Sequence, residues 1–204
     1  MTNTSATGGV LAPATSPAPL EGAALLAFIQ GWIVGLTGMD GKLVRPRWQP
    51  EAPVIPDEGT AWAAIGLGTR SSDTYPFVGN KTPDGSPGYT LARQEEIPVL
   101  CSFYDLGSGG QADALAALLR DQTAIAQNRE LLRSNNFAFV SCGELTPVPS
   151  LLKTRWLYRV DVPITLRRQI NRSYPVLLVE TADSYLKANN AGDGIYEQTI
   201  TVQP

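Results

Sequence analysis

RWLYRVDVPITLR, residues Arg155 to Arg167, alternates without a break for its whole length and sorts its side chains into two unlike sets. Trp156, Tyr158, Val160, Val162, Ile164 and Leu166 share one parity; Arg155, Leu157, Arg159, Asp161, Pro163, Thr165 and Arg167 share the other. Successive strand side chains face opposite sides of a sheet, so this is one long strand with an apolar face and a wet, mostly basic face. Trp156 and Tyr158, in phase with Val160, are read as core. Pro163 cannot donate to a ladder, which predicts an edge strand or a bulge at that point.

The charge around this strand is lopsided. From Lys153 to Arg172 stand Lys153, Arg155, Arg159, Arg167, Arg168 and Arg172 against Asp161 alone, in a chain whose net charge is −3. An acidic average disfavours phosphate-backbone binding as the main task. The strip either pairs with carboxylates of its own chain or meets a protein partner. Of the 16 basic residues 12 are Arg, the residue that forms planar, bidentate contacts with carboxylates.

Working outward, Leu25, Leu26, Phe28, Ile29, Trp32, Ile33 and Leu36 recur at helical spacing, with Glu21 in the first turn and Gly35 and Gly38 near the end, which predicts a first amphipathic helix. Lys42–Gln49 is a short strand followed by prolines, and Ala61–Gly68 a buried, Ala- and Gly-rich strand that another backbone approaches closely. Ser71–Gly88, rich in breakers, reads as a hairpin with an extended loop. Leu91–Tyr104 puts Ile97, Val99, Cys101 and Phe103 on one face of an antiparallel strand. After GSGG, Leu115, Leu118, Leu119, Ile125, Ala126 and Leu132 trace a second helix ending near Asn135, and Phe137–Leu145 returns as a strand. Tyr174–Thr181 and Ile195–Val202, around NNAGDG, predict a C-terminal β-hairpin. The fold class is therefore α+β: a mostly antiparallel sheet with two helices packed on one face, plus a C-terminal β-hairpin arm that can add to a neighbour's sheet edge. Residues 1–19 read as a flexible N-terminal tail, 20–182 as the α+β domain and 183–204 as the arm.

Chemistry is sparse. The chain has 204 residues and no histidine, which removes the usual general base, the commonest metal ligand and the Ser-His and Cys-His pairs. Glu95 and Glu96, as strand neighbours, point to opposite faces and cannot share a site, so they read as solvated charges. Cys101 and Cys142 sit in apolar runs and read as reduced, buried thiols. The Gly66 and Gly107–Gly110 runs lack the spacing and lysine of a phosphate loop. No catalytic, cofactor or metal residue is assigned. No apolar run reaches the roughly 18–20 residues that span a bilayer, and the N-terminus lacks the pattern of a signal peptide, so the chain reads as soluble. Trp48, after Arg45 and Arg47, either anchors an interface or caps the core.

Four ordered strings carry a resemblance: RPRWQP at Arg45–Pro50, EIPVLCSFYD at Glu96–Asp105, AQNREL at Ala126–Leu131 and WLYRVDVPITLRR at Trp156–Arg168. Together, across Leu25 to Leu178, the chain resembles the neck or tail terminator proteins of tailed phages and prophages. The resemblance implies a non-enzymatic virion protein, assembled in the host cytoplasm, that forms a homo-oligomeric, hexameric ring at the head-proximal end of the tail. Such a ring ends tail-tube polymerisation and joins the tail to the neck. The implied partners are the tail-tube protein and the neck or head-completion connector proteins, with the sheath protein as a further contact; DNA only passes through the lumen, and there is no membrane partner. Because the family transfers no catalytic residue, the expected interface rests on the Arg-rich pattern: Arg155, Arg159, Arg167 and Arg168, then Arg45, Arg47 and Trp48. The competing structural reading is a head-completion, connector or baseplate component. A small-molecule binding module is the reading from another class, and would need a deep apolar pocket.

Overall fold

Helix α1 (Gly22–Thr37) supplies the first half of the core. Its buried stripe is Leu25, Ile29, Trp32, Ile33 and Leu36, and it ends at Gly38, whose φ of 68° is the left-handed turn that lets its N–H reach the Val34 carbonyl. This is a computed structural model, and it describes residues 3, 6–14, 18–51, 54–81, 87–107, 110–152, 154–176, 182–189 and 195–202. Contacts divide the chain into two units, one of residues 17–77 and 92–170, the other of 1–16, 78–91 and 171–204.

The first unit holds the core. Its sheet runs β1 (Val44–Pro46), β2 (Trp62–Leu67), β5 (Pro87–Leu106), β9 (Arg155–Tyr174), β6 (Phe137–Cys142), with the short strand β3 (Ser71–Ser72) paired to β5, and β7 (Thr146–Pro147) and β8 (Ser150–Leu152) paired to β9; β4 (Phe77–Lys81), which also pairs with β5, belongs from Val78 on to the second unit. β5 and β9 each continue in sequence into the second unit. The sheet is mostly antiparallel, but β1 joins β2 in parallel. The expected strand faces hold: Ile97, Val99, Cys101 and Phe103 of β5 and Val160, Val162, Ile164 and Leu166 of β9 are all buried, with α1 and helix α2 (Gly110–Ala124) in the same core.

Several expectations need correcting. The second helix is not continuous to Asn135. It stops at Ala124, passes through a 3-10 turn (Gln127–Arg129) and resumes as α3 (Glu130–Ser134). The AQNREL string is the cause. Arg129 donates to the Thr123 and Ala124 carbonyls at 2.6 and 2.8 Å, and Asn128 to the Gln122 carbonyl at 3.0 Å, so side chains take the acceptors that a further helical turn would have used. Ile125, just past the break, is exposed, and so is Leu118 within α2, off the face that buries Ala112, Ala116, Leu119 and Thr123; Leu119 and Leu132 are buried as expected.

Pro163 lies in an interior strand, not at an edge. A bulge is present, but not at Pro163: the register of β6 against β9 shifts by one residue between Phe139 and Ser141, and by one more between Gly143, still bonded to Pro163, and Thr146, which lies opposite Asp161. Gly143 continues the β6 register and donates to the Pro163 carbonyl at 2.7 Å; a Cβ there would lie 2.7 Å from the Pro163 ring. Trp156, read as core, is 56% exposed, and Leu157, placed on the wet face, is buried, so the predicted faces hold from Val160 onward and not at the start of the strand. Parity chooses a face, and only an opposing layer buries it.

In the second unit, β10 (Ala182–Asn189) pairs antiparallel with β11 (Ile195–Val202) as a two-stranded sheet of its own. The hairpin is present as expected, but its first strand begins at Ala182 rather than Tyr174. Residues 177–181, part of the predicted strand, and the 190–194 turn lie outside the described residues. In the same unit Ala14 donates to the Ser173 carbonyl at 2.7 Å.

Candidate interaction site on the sheet

The parallel strand β1 positions the RPRWQ string. Arg47 N–H donates to the Ile65 carbonyl at 2.7 Å, extending the β1–β2 ladder by one bond, and its side chain then crosses the sheet face opposite the helices. It passes over Gly66, where an added Cβ would stand 3.0 Å from Arg47 Cδ and 3.2 Å from the Trp48 ring. At Gly66 the close approach is thus made by the side chains of an arginine and a tryptophan, not by the expected backbone.

Beyond Gly66 the Arg47 guanidinium donates to Ser102 Oγ, Ser102 donates to Asp161 Oδ1, and Asp161 accepts from Arg159 Nε at 2.7 Å and Nη2 at 2.6 Å. The Arg159–Asp161 contact is bidentate and largely shielded, and the hydrogen bond to Asp161 holds the guanidinium pKa above its ordinary value. Arg159 also lies 5.9 Å from the Tyr104 ring, which stacks on Trp62 with centroids 3.9 Å apart. Four strands and three of the four strings meet in this network. Buried Arg47 Nε and Trp62 Nε1 have no hydrogen-bond partner among the described residues.

The helix side carries a second charge network. Arg168, with a side chain only 3% exposed, donates to Glu95 and Glu21 at 2.6 Å each and to the Leu20 carbonyl. Arg70 completes it, 2.6 Å from Glu21 and 3.6 Å from Glu95. Burial pushes the Glu21 carboxyl up, but the hydrogen bonds and charges of Arg70 and Arg168 outweigh it, leaving the pKa below the ordinary carboxylate value. This network ties the start of α1 to the sheet.

Glu95 and Glu96 do point to opposite faces, yet neither is a free solvated charge. Glu95 reaches Arg168, while Glu96 pairs with Arg167 on the other face. Four of the six cations of the basic strip are therefore matched within the chain: Arg155 with Glu58 at 2.5 Å, Arg159 with Asp161, Arg167 with Glu96 and Arg168 with Glu95 and Glu21, while Arg172 forms no ion pair among the described residues. Lys153 lies outside the described residues.

The interface set divides accordingly. Arg168, Arg159 and Arg47 are committed to internal networks, and Arg45 holds the Lys42 and Val54 carbonyls at 2.8 and 2.7 Å. Arg155 and Arg167 keep 67% and 50% of their side-chain surface, and Trp48 is 69% exposed, which rejects its reading as a cap on the core. Sequence reasoning missed Glu21, Arg70, Ser102 and Asp161 as nodes. Asp161 was visible in principle, two residues from Arg159 on one strand face; Ser102 was not, because its neighbour depends on strand order.

An open, polar recess of about 260 Å³ is lined by Ser71, Ser72, Asp73, Gln94, Glu96 and Arg167. Among the described residues no cluster of His, Cys, Asp and Glu is arranged to hold a metal ion, and no helix is long and apolar enough to cross a membrane. Cys101 is fully buried, and burial pushes its thiol pKa far up; Cys142 is half-buried, so only one of the two thiols is as enclosed as expected. β9 separates their strands.

The family model of phage neck terminator proteins matches residues 23–194. The chain belongs to that family. It is a structural neck protein of a phage, and membership implies a place in the virion and contacts with other tail and neck proteins. No curated protein matches the chain. For a neck terminator protein the two charge networks make sense as scaffold: they are charged, yet they serve the fold, and they leave Trp48, Arg155 and Arg167 on the surface.

Proposed function

We propose that this neck terminator protein assembles as a ring, hexameric by the family resemblance, on the head-proximal end of the tail, where it stops tube polymerisation and presents a surface to the neck connector proteins. The family match across residues 23–194 is the observation that supports this reading. Trp48, Arg155 and Arg167 are the contact residues we assign, since each is exposed and Trp and Arg dominate interface hot spots. Arg155 and Arg167 are paired at partly exposed sites, where ion pairs are worth about 0–1 kcal/mol, so exchanging Glu58 or Glu96 for a neighbour's carboxylate costs little. The acidic net charge of −3 suits a lumen through which DNA slides without sticking. The organisation into tail, domain (20–182) and arm (183–204) is retained as part of the proposal.

The test is electron microscopy of lysates from the phage lacking this gene. Overlong or uncapped tails beside separate filled heads are expected. Tails of normal length joined to heads would reject the terminator role.

A further inference from the structure

The sheet of the first unit has two edges, and they are treated differently. At β1 the Leu43 carbonyl and the Arg47 N–H both face β2, so by alternation Val44 and Pro46 turn their backbone groups outward. Pro46 has no N–H, and the Val44 carbonyl already accepts from Gln30 Nε2 at 2.6 Å, as does the Gly41 carbonyl at 2.9 Å. That edge is blocked by a proline, which lacks an N–H, and by a glutamine.

At the other edge, β6 presents Phe137–Cys142 with no proline, its register against β9 shifting by one residue between Phe139 and Ser141. Among the described residues no group bonds its outward N–H and C=O groups. An open strand edge is a template for another strand, and folds that keep one generally cover it. The same chain carries β10–β11, two strands of eight residues whose only described ladder is with each other. A lone two-stranded hairpin is marginal in water and gains by joining a larger sheet.

We propose that β10–β11 of one copy adds to the β6 edge of the next copy, continuing that copy's sheet beyond β6. The occupant is a second copy because the chain supplies both halves of the contact: one open edge of six residues and one hairpin long enough to span it. The contact is heterologous, edge to hairpin, so each copy offers one of each. Such a contact propagates, and closes as a ring when the rotation allows. This inference rests on the ring reading above and assigns the surfaces that would build it.

The test uses full-length chains with Cys142→Ser, leaving only the fully buried Cys101. One chain carries Ser141→Cys on β6. Its co-expressed partner, distinguished by a tag of different size, carries one cysteine at Tyr185, Leu186, Thr199 or Ile200 in turn. Paired strands place Cα atoms about 4.5–5.5 Å apart, inside the disulfide range of about 4.4–6.8 Å. The expected result is a mixed-tag disulfide dimer for at least one position, about tenfold more abundant than any same-tag dimer. A Ser141→Cys chain that cross-links to itself would show two β6 edges meeting about a two-fold axis and overturn the inference. Light scattering on the parent chain separates the remaining failures. A ring without a mixed dimer sinks this inference alone, whereas a monomer without one sinks the ring reading as well.

Discussion

Arg167 and Arg168 are sequence neighbours with the same chemistry and opposite surroundings, so replacing each by Met separates buried from exposed charge. Arg168→Met removes a guanidinium only 3% exposed, leaving Glu95, at 14% exposure, without its closest cation. Removing one partner of a buried pair costs about 3–5 kcal/mol. The lower end applies here, because Glu21 is 47% exposed and Arg70 remains 3.6 Å from Glu95. Arg167→Met breaks a pair in which the side chains are 50% and 39% exposed, a class worth about 0–1 kcal/mol. Urea unfolding reads both. With a slope of about 2 kcal/mol per M, Arg168→Met should lower the midpoint by about 1.5 M, and Arg167→Met by less than about 0.5 M. Equal losses, or a neutral Arg168→Met, would refute the claim that Arg168 fastens α1 to the sheet.

Three further outcomes are expected. The Glu21 pKa is depressed on folding, so its stabilisation is present above the unfolded value near 4.5 and is lost as pH falls through the folded value; Tm measured from pH 6 to pH 3 should fall more steeply for the parent chain than for Glu21→Gln. Gly66→Val should cost about 1–3 kcal/mol in thermal unfolding, because its Cβ displaces Arg47 and Trp48, and a neutral effect would mean that the two side chains do not cross there. Trp48→Ala combined with Arg155→Glu should leave Tm within about 2 °C of the parent but abolish ring formation by light scattering, since both residues are exposed; unimpaired assembly would remove them from the interface.

Local pattern carried the elements whose causes are local. The alternation of β9 from Val160 onward and of β5 from Ile97, and the stripe of α1, appear in the buried set, because strand parity and helical period act within a few residues. What failed depended on distant partners. At the start of β9 the alternation fails, with Trp156 exposed and Leu157 buried, and sequence carries no record of where the covering layers stop. The second helix broke because Asn128 and Arg129 compete for its last carbonyls, a choice that helical spacing does not register. The basic strip read as unbalanced because its acids, Glu58, Glu95, Glu96 and Glu21, come from segments far away in sequence. The family strings were legible as strings. Their physical meaning emerged only when β1, β2, β5 and β9 came together and Arg47, Ser102, Asp161 and Arg159 became one network.

The most direct test of the central claim adds purified protein to tail-tube protein of the same phage during polymerisation in vitro and measures tube length by electron microscopy, with a gold label on the added chain. The account predicts that elongation stops and that gold marks one end of each tube. Tubes that keep growing, or gold scattered along their sides, would contradict it.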